Sequence, residues 1–281
     1  MVVTEHVVRA GGVELNVATA GDGAPVLLLH GFPDSWQVWR YQIAALAAAG
    51  YRVIAPDLRG FGRSSRPAGV AAYRADLLLG DVVAVLADVG VASAAVVGHD
   101  WGAGLARQLA FRRPDLVDRL TVLSVGHWGA GAAAGLEQRR LSWYMLWFQF
   151  PGVAEQVFPR DNWRFFREWA WDGPAPGEHP ECERQIADLA RPGALTAALN
   201  WYRANLGPER YVIMDPPPGP RVSCPTMGIW STGDRFLSEA QMLGSEKYVN
   251  GPWRYERIDA DHWLPTSAPN EVNRLLLDFL R

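Results

Sequence analysis

The sequence predicts an α/β protein, with a mostly parallel central sheet, helices on both faces and one inserted helical cap. Three observations lead there. Short apolar runs of the fully buried type alternate with helix-length stretches through the first 125 residues. Gly98-His99-Asp100-Trp101-Gly102 places a small residue two before and two after a central side chain, between an apolar run and a helical pattern. A tight strand-to-helix turn needs that spacing, because a bulky Cβ at either flank would strike the neighbouring strand or helix. Finally, the rhythm breaks at Gly126, turns helical and aromatic from His127 to about Asp215, and then resumes. With 281 residues, 49% hydrophobic and 20% charged, the chain suffices for one large core plus such an insertion.

Residues up to about Gly21 alternate weakly around Gly11-Gly12 and read as an opening hairpin. Residues 25–29 form a short apolar strand that runs into His30-Gly31-Phe32-Pro33. Asp34 or Ser35 is expected to cap a helix through Ala49, which Gly50 ends. A strand over 51–55, a loop from Asp57 to Ser64 and a helix over 73–89 follow. Within that loop, Gly60-Phe61-Gly62 lacks a Gly-Lys-Ser/Thr ending and a dinucleotide fingerprint, so it reads as structural. The 94–97 strand leads into the pentapeptide, a helix from Ala103 to Phe111 leads out, and residues 120–125 are another buried strand. Strand rhythm returns at 226–230, with a helix near 238–247 and a strand near 253–258. A loop holding His262 and a helix over about 270–280 close the chain. The organisation is a core domain of residues 1–126 and 216–281 and a helical cap of residues 127–215, which returns to the sheet through the stiff run Asp215-Pro216-Pro217-Pro218-Gly219-Pro220. Many of the 13 tryptophans fall between Trp128 and Trp201, as suits a segment closing over an apolar cavity.

A net charge of −3 leaves no basic footprint for nucleic acid or an anionic membrane. Cys182 and Cys224 lie far apart with no metal-ligand spacing, so a reduced compartment is the simple inference, with one disulfide as the alternative, and no metal or cofactor is expected. The start, Met1 to His6, lacks the regions of a signal peptide, and no uncharged apolar run approaches membrane-spanning length. A cytoplasmic location is therefore expected. Oligomeric state stays open, a homodimer included.

At the apex of the pentapeptide stands Asp100. The layout resembles the nucleophile elbow of the α/β-hydrolase family, with an aspartate where that family usually has serine. A carboxylate there can attack a saturated carbon and form an ester with its own side chain. The family's order is nucleophile, acid, histidine. Of six histidines only His262 follows the cap, and it is the expected base. Asp234, after an apolar strand and the turn Ser231-Thr232-Gly233, is the expected orienting acid. Asp259 and Asp261 are runners-up, too near His262 in sequence to brace its ring. The oxyanion hole is expected from the backbone N–H groups of Phe32 and Trp101.

An aspartate elbow fits both epoxide opening and halide displacement. Ring opening creates an alkoxide whose conjugate acid is far weaker than a phenol of pKa about 10, so tyrosines can donate to it usefully. A halide needs only N–H donors such as indoles. The cap supplies Tyr144, ahead of Phe148-Gln149 and Pro151-Gly152-Val153-Ala154-Glu155, and Tyr202, within Asn200-Trp201-Tyr202-Arg203. With these stretches, His30-Gly31-Phe32-Pro33-Asp34-Ser35-Trp36, the pentapeptide, Asp234 and His262-Trp263, the sequence resembles the soluble epoxide hydrolases of the α/β-hydrolase superfamily. The resemblance implies that Tyr144 and Tyr202 bind and protonate the epoxide oxygen. It implies conversion of a small apolar epoxide and water to a vicinal diol, and Trp36 and Trp147 are assigned to the substrate pocket. The related haloalkane dehalogenases are the alternative, with Trp36, Trp101 and Trp147 as a halide clamp. Against them, Phe32 stands where they place a polar halide-binding residue. Fluoroacetate dehalogenases are further off: Trp101 replaces their arginine and Gly126 carries no carboxylate. A silent ligand-binding hydrolase fold is the third reading, and the retained Asp100, Asp234 and His262 argue against it.

Overall fold

The computed structural model describes residues 2–211 and 219–281. Eight strands run in chain order: β1 (Thr4–Ala10), β2 (Val13–Ala20), β3 (Ala24–Leu29), β4 (Tyr51–Pro56), β5 (Ala94–His99), β6 (Val117–Leu123), β7 (Thr226–Gly233) and β8 (Trp253–Asp261). They form one sheet in the order β1-β2-β4-β3-β5-β6-β7-β8. The opening hairpin is antiparallel, and β2 also runs antiparallel to β4, while all other pairings are parallel.

Parallel strands covered on both faces need unbroken apolar runs, and Val26 to Leu29 supplies one in which every side chain is buried. Successive residues point to opposite faces. Thus Leu27 and Leu29 join one core cluster with α2 (Ala75–Asp88) and α3 (Trp101–Arg112), whereas Val26 and Leu28 join another with α1 (Arg40–Ala48) and the last helix (Pro269–Leu280). From β3 the chain steps outward to β4 and then returns to β5 on the other side. That switch point opens a crevice beyond the carboxyl ends of β3 and β5. The loop beginning at His30 and the turn at Asp100 lie there.

Between β6 and β7 the described chain forms α4 (Trp128–Ala133), α5 (Gly135–Leu141), α6 (Trp143–Trp147), α7 (Val153–Val157), α8 (Arg160–Trp171), α9 (Pro180–Leu189) and α10 (Ala194–Asn205). Specific bonds fasten this segment to the sheet loops. Arg184 of α9 pairs with the fully buried carboxylate of Asp34, and Gln185 donates to the same group at 3.1 Å. The Trp201 indole of α10 donates to the Arg59 carbonyl at 2.9 Å. The rings of Trp171 and Trp263 stack at 4.0 Å. Residues 215–218 of the expected stiff return lie outside the described residues. After β7 come α11 (Glu239–Leu243), α12 (Leu264–Ser267) and α13 (Pro269–Leu280).

Two expectations need correction. The helix after Pro33 starts as a 3-10 turn, Trp36–Trp39, and neither Asp34 nor Ser35 caps it. Asp34 is drawn to the Arg184 guanidinium instead, because a buried carboxylate needs a cation more than a helix end needs an acceptor. The strand over 120–125 is β6, which starts three residues earlier and stops at Leu123, where Ser124 turns to φ 64°. Among the described residues no helix is long and apolar enough to cross a membrane.

Candidate active site

Asp100 ends β5 and opens α3 at φ 51°, ψ −121°. An aspartate held there costs about 1–3 kcal/mol, and the surroundings enforce it. A Cβ on Gly98 would enter the Gly102 backbone, and a Cβ on Gly102 would enter the carbonyl oxygens of Leu29 and His30. Small residues at both flanks thus let the turn close against β3 and lift the Asp100 side chain above the sheet. A Cβ on Gly31 would strike the Asp100 carboxylate itself, so only glycine lets the β3 loop approach that closely.

The approach brings donors to the carboxylate. The Phe32 N–H donates to Asp100 Oδ1 at 2.7 Å, and the Trp101 N–H also bonds the carboxylate. Oδ2 faces His262 Nε2 at 3.8 Å, too long for a direct hydrogen bond. On the other side of the ring, Nδ1 lies 3.0 Å from Asp234 Oδ2. Asp234 is fixed in turn, since its Oδ1 accepts the N–H groups of Phe236 and Leu237 at 2.9 and 3.0 Å. The carbonyl of His262 accepts from His99 Nε2 at 2.8 Å and from the Ser124 hydroxyl at 3.2 Å. His30 holds the first loop, its Nε2 accepting the Leu58 N–H at 2.9 Å.

Burial opposes charge on His262, yet the Asp234 carboxylate, by charge and hydrogen bond, and then Asp100 raise its pKa to about 9. Burial likewise raises the pKa of Asp100, while His262 and the two N–H donors lower it. The two groups compete for one proton. We place it on His262, because backbone N–H donors stabilise only the ionised carboxylate.

Across from Asp100, Tyr144 of α6 and Tyr202 of α10 face one cavity, 3% and 2% exposed, with ring centroids 6.1 Å apart. Asp100 and His262 line the same cavity. Its remaining wall is aromatic and apolar: Phe32 and Pro33, Phe166 and Trp169 of α8, Phe236 and Trp263. The structure therefore gathers Asp100, His262, Tyr144 and Tyr202 from four separate stretches around one small space, with Asp234 behind the His262 ring.

A family model described as the alpha/beta hydrolase fold matches residues 24–268. Epoxide hydrolase A of Mycobacterium tuberculosis is 35% identical over 314 residues, covering 99% of this chain and 97% of that protein. The chain belongs to the epoxide hydrolases of the α/β-hydrolase family. The AB hydrolase superfamily protein YfhM of Bacillus subtilis is 34% identical over 281 residues, covering 98% of this chain and 96% of that one. The solved structure of Epoxide Hydrolase A from Mycobacterium thermoresistibile superimposes with a TM-score of 0.84 at 32% identity, covering 100% of this chain and 98% of that one.

In this epoxide hydrolase family member, Trp36 and Trp147 do not line the cavity, which corrects their assignment to the pocket. Trp36 packs at the start of the 3-10 turn against the α1 side of the sheet, with its indole 3.3 Å from Glu5. Trp147 faces Phe158 and Phe165 within the helical segment. Proximity to a motif gave no information about which way either ring would point. Phe166, Trp169 and Phe236 were not foreseen as lining residues. For the first two, a signal existed in their spacing, since Phe166 and Trp169 stand three apart on α8 and so share one helix face.

Proposed function

We propose that the protein hydrolyses an apolar epoxide to a vicinal diol through an ester on Asp100, with residues 127–215 acting as the cap that closes the site. The observation carrying this is a carboxylate held by two N–H donors and facing a buried tyrosine pair across one cavity. Oδ2, the oxygen turned away from the Phe32 donor, attacks an epoxide carbon while the hydroxyls of Tyr144 and Tyr202 donate to the ring oxygen. The C–O bond of the ring breaks, and the opened oxygen takes a tyrosine proton. The proton held on His262 makes that loss good, which leaves an Asp100 alkyl ester, a neighbouring hydroxyl and a neutral imidazole. His262, oriented by Asp234, then takes a proton from water, whose oxygen adds to the Asp100 carboxyl carbon. Negative charge develops on Oδ1, where the Phe32 and Trp101 N–H groups already point. Collapse breaks the ester bond to Oδ2, which leaves in the diol with one of the water protons, while the other stays on His262 beside the regenerated Asp100 carboxylate.

Halide displacement has less support. None of its three indole candidates, Trp36, Trp101 and Trp147, lines the cavity, whereas both tyrosines do.

His262→Gln should still form the ester but not release it. Mass spectrometry of that variant, mixed with an epoxide the parent hydrolyses, should find one adduct on the peptide containing Asp100. An unmodified peptide, with no product, would refute the covalent route.

A further inference from the structure

Pro151-Gly152-Val153-Ala154-Glu155 and Arg203 take no part in the reaction proposed above, yet the structure ties them together. The Arg203 side chain, on α10 directly after Tyr202, is 6% exposed. Its Nη1 and Nη2 donate to the two oxygens of Glu155 at 2.7 and 3.0 Å, a forked pair that suits a planar guanidinium. Its Nε donates to the Phe148 carbonyl at 2.9 Å. Nη1 also meets Asn200 Oδ1, three residues back on α10, at 3.2 Å, which fixes the direction of the side chain. Phe148 stands at the C-terminal end of α6, where carbonyls lack helical partners and attract a cation. Gly152, at φ 79°, turns the chain after α6 and opens α7, which carries Glu155 to the same guanidinium.

What this clamp holds bears on the tyrosine pair. Helix α6 has five residues, too few to keep its place without tertiary contacts. It carries Tyr144, whose carbonyl accepts the Phe148 N–H at 2.9 Å. The fully buried Phe148 ring meets Tyr144 edge to face at 5.4 Å and Tyr202 at 5.0 Å. Phe148 is therefore a spacer between the two phenols, and Arg203, next to one of them, grips the backbone of that spacer.

We infer that Arg203 is a positioning residue for the tyrosine pair: clamped by Glu155 and bonded to Phe148, it fixes the separation at which Tyr144 and Tyr202 converge on one oxygen. The inference rests on the proposed role of both tyrosines in ring opening. Two donors serve one oxygen only while their separation is held, and a misplacement of about 1 Å can cost about 10²-fold in rate. The two chemical steps feel the clamp differently. Ester formation uses both hydroxyls. Ester hydrolysis uses His262, Asp234 and the N–H groups of Phe32 and Trp101, none of which shares a bond with the clamp just described.

The test compares the parent with Arg203→Met in single turnovers of styrene oxide, enzyme in excess. Loss of epoxide reports ester formation, and mass spectrometry of the quenched peptide containing Asp100 reports decay of the ester. The quantity read is the factor by which formation slows, divided by the factor by which hydrolysis slows. A value of about tenfold is expected. A value within about twofold of unity overturns the inference, whether both steps are unchanged or a loosened fold slows them alike. In a Tyr144→Phe background no pair is left to align, so Arg203→Met should slow formation less than about twofold further, and an undiminished loss there also overturns it. Should Arg203→Met misfold, Arg203→Lys keeps the charge but cannot span Glu155 and Phe148 together, and the same thresholds apply. If Tyr144→Phe and Tyr202→Phe each form the ester as fast as the parent, the ring-opening reading itself fails, an outcome distinct from a ratio near unity in Arg203→Met.

Discussion

His262 lies between two carboxylates, and its protonation decides what each of them can do. Asp234 and Asp100 hold a proton on it up to a pKa of about 9 despite full burial. The resting site is then an Asp100 anion beside an imidazolium, which suits attack on carbon. On the proposed route, esterification would remove the Asp100 charge and with it one of the influences that raise the His262 pKa. The ring thus gives up its proton more readily at the stage when a base is required. Asp234→Asn removes the stronger of the two charges. The His262 pKa should fall by more than one unit in an NMR titration, and kcat should fall on the order of 10²-fold or more, because an amide no longer fixes the ring's tautomer. A variant with the parent's His262 titration would show that Asp234 does not set the proton affinity.

At the scale of elements, α5 reaches across to the loop that carries the acid. The Gln138 side chain donates to the Phe236 carbonyl at 2.9 Å and to the Ser142 hydroxyl at 2.8 Å. Its oxygen accepts the Ser238 N–H and hydroxyl, both at 2.9 Å. The same loop supplies the N–H groups that hold Asp234. Gln138→Leu strands a buried carbonyl and a buried N–H, at a cost of about 2–3 kcal/mol in denaturant unfolding. It should also slow ester hydrolysis more than ester formation in single-turnover kinetics, and equal slowing of both would place Gln138 outside the alignment of the acid. Nothing in the sequence announced this contact, since Gln138 and Ser238 are 100 residues apart. Asp34 and Arg184 are likewise 150 apart. What could be read in advance was local. Strand and helix alternation follows from side-chain periodicity, and the turn at Asp100 follows from small residues at fixed offsets. The lateness of His262 follows from the order of a known resemblance. Pairings across the helical segment depend on how α5 and α9 settle on the sheet, which short-range patterns do not encode. The directions of Trp36 and Trp147 were lost for the same reason.

For the whole molecule, buried histidines bound the pH range of stability on both sides. His99 and His127 are 0% and 2% exposed, and burial lowers both to a pKa of about 3. For His99 the nearby His262 adds to this, and for His127 Arg107 does. Burial lowers His30 as well. Unfolding returns these rings to about 6.5, so between pH 6.5 and about 3 the unfolded chain binds more protons than the folded one. Stability must then fall as pH falls. Two such groups near pH 5 give a slope of about 2.7 kcal/mol per pH unit, at about 1.4 per proton. Asp81, Asp100 and Asp188, raised by burial, act in the opposite sense and blunt the slope at its acid end. His262 governs the alkaline side. Its raised pKa contributes stability that is complete below 6.5 and lost as pH rises through about 9. Urea midpoints measured from pH 5 to 9.5 should therefore peak near neutrality. His127→Asn should make the acid limb shallower by about one proton and leave the alkaline limb alone. His262→Gln should flatten the alkaline limb. An alkaline limb of unchanged slope in His262→Gln would mean that the loss above neutrality arises elsewhere, and that the imidazolium is not held between the two carboxylates in the folded protein.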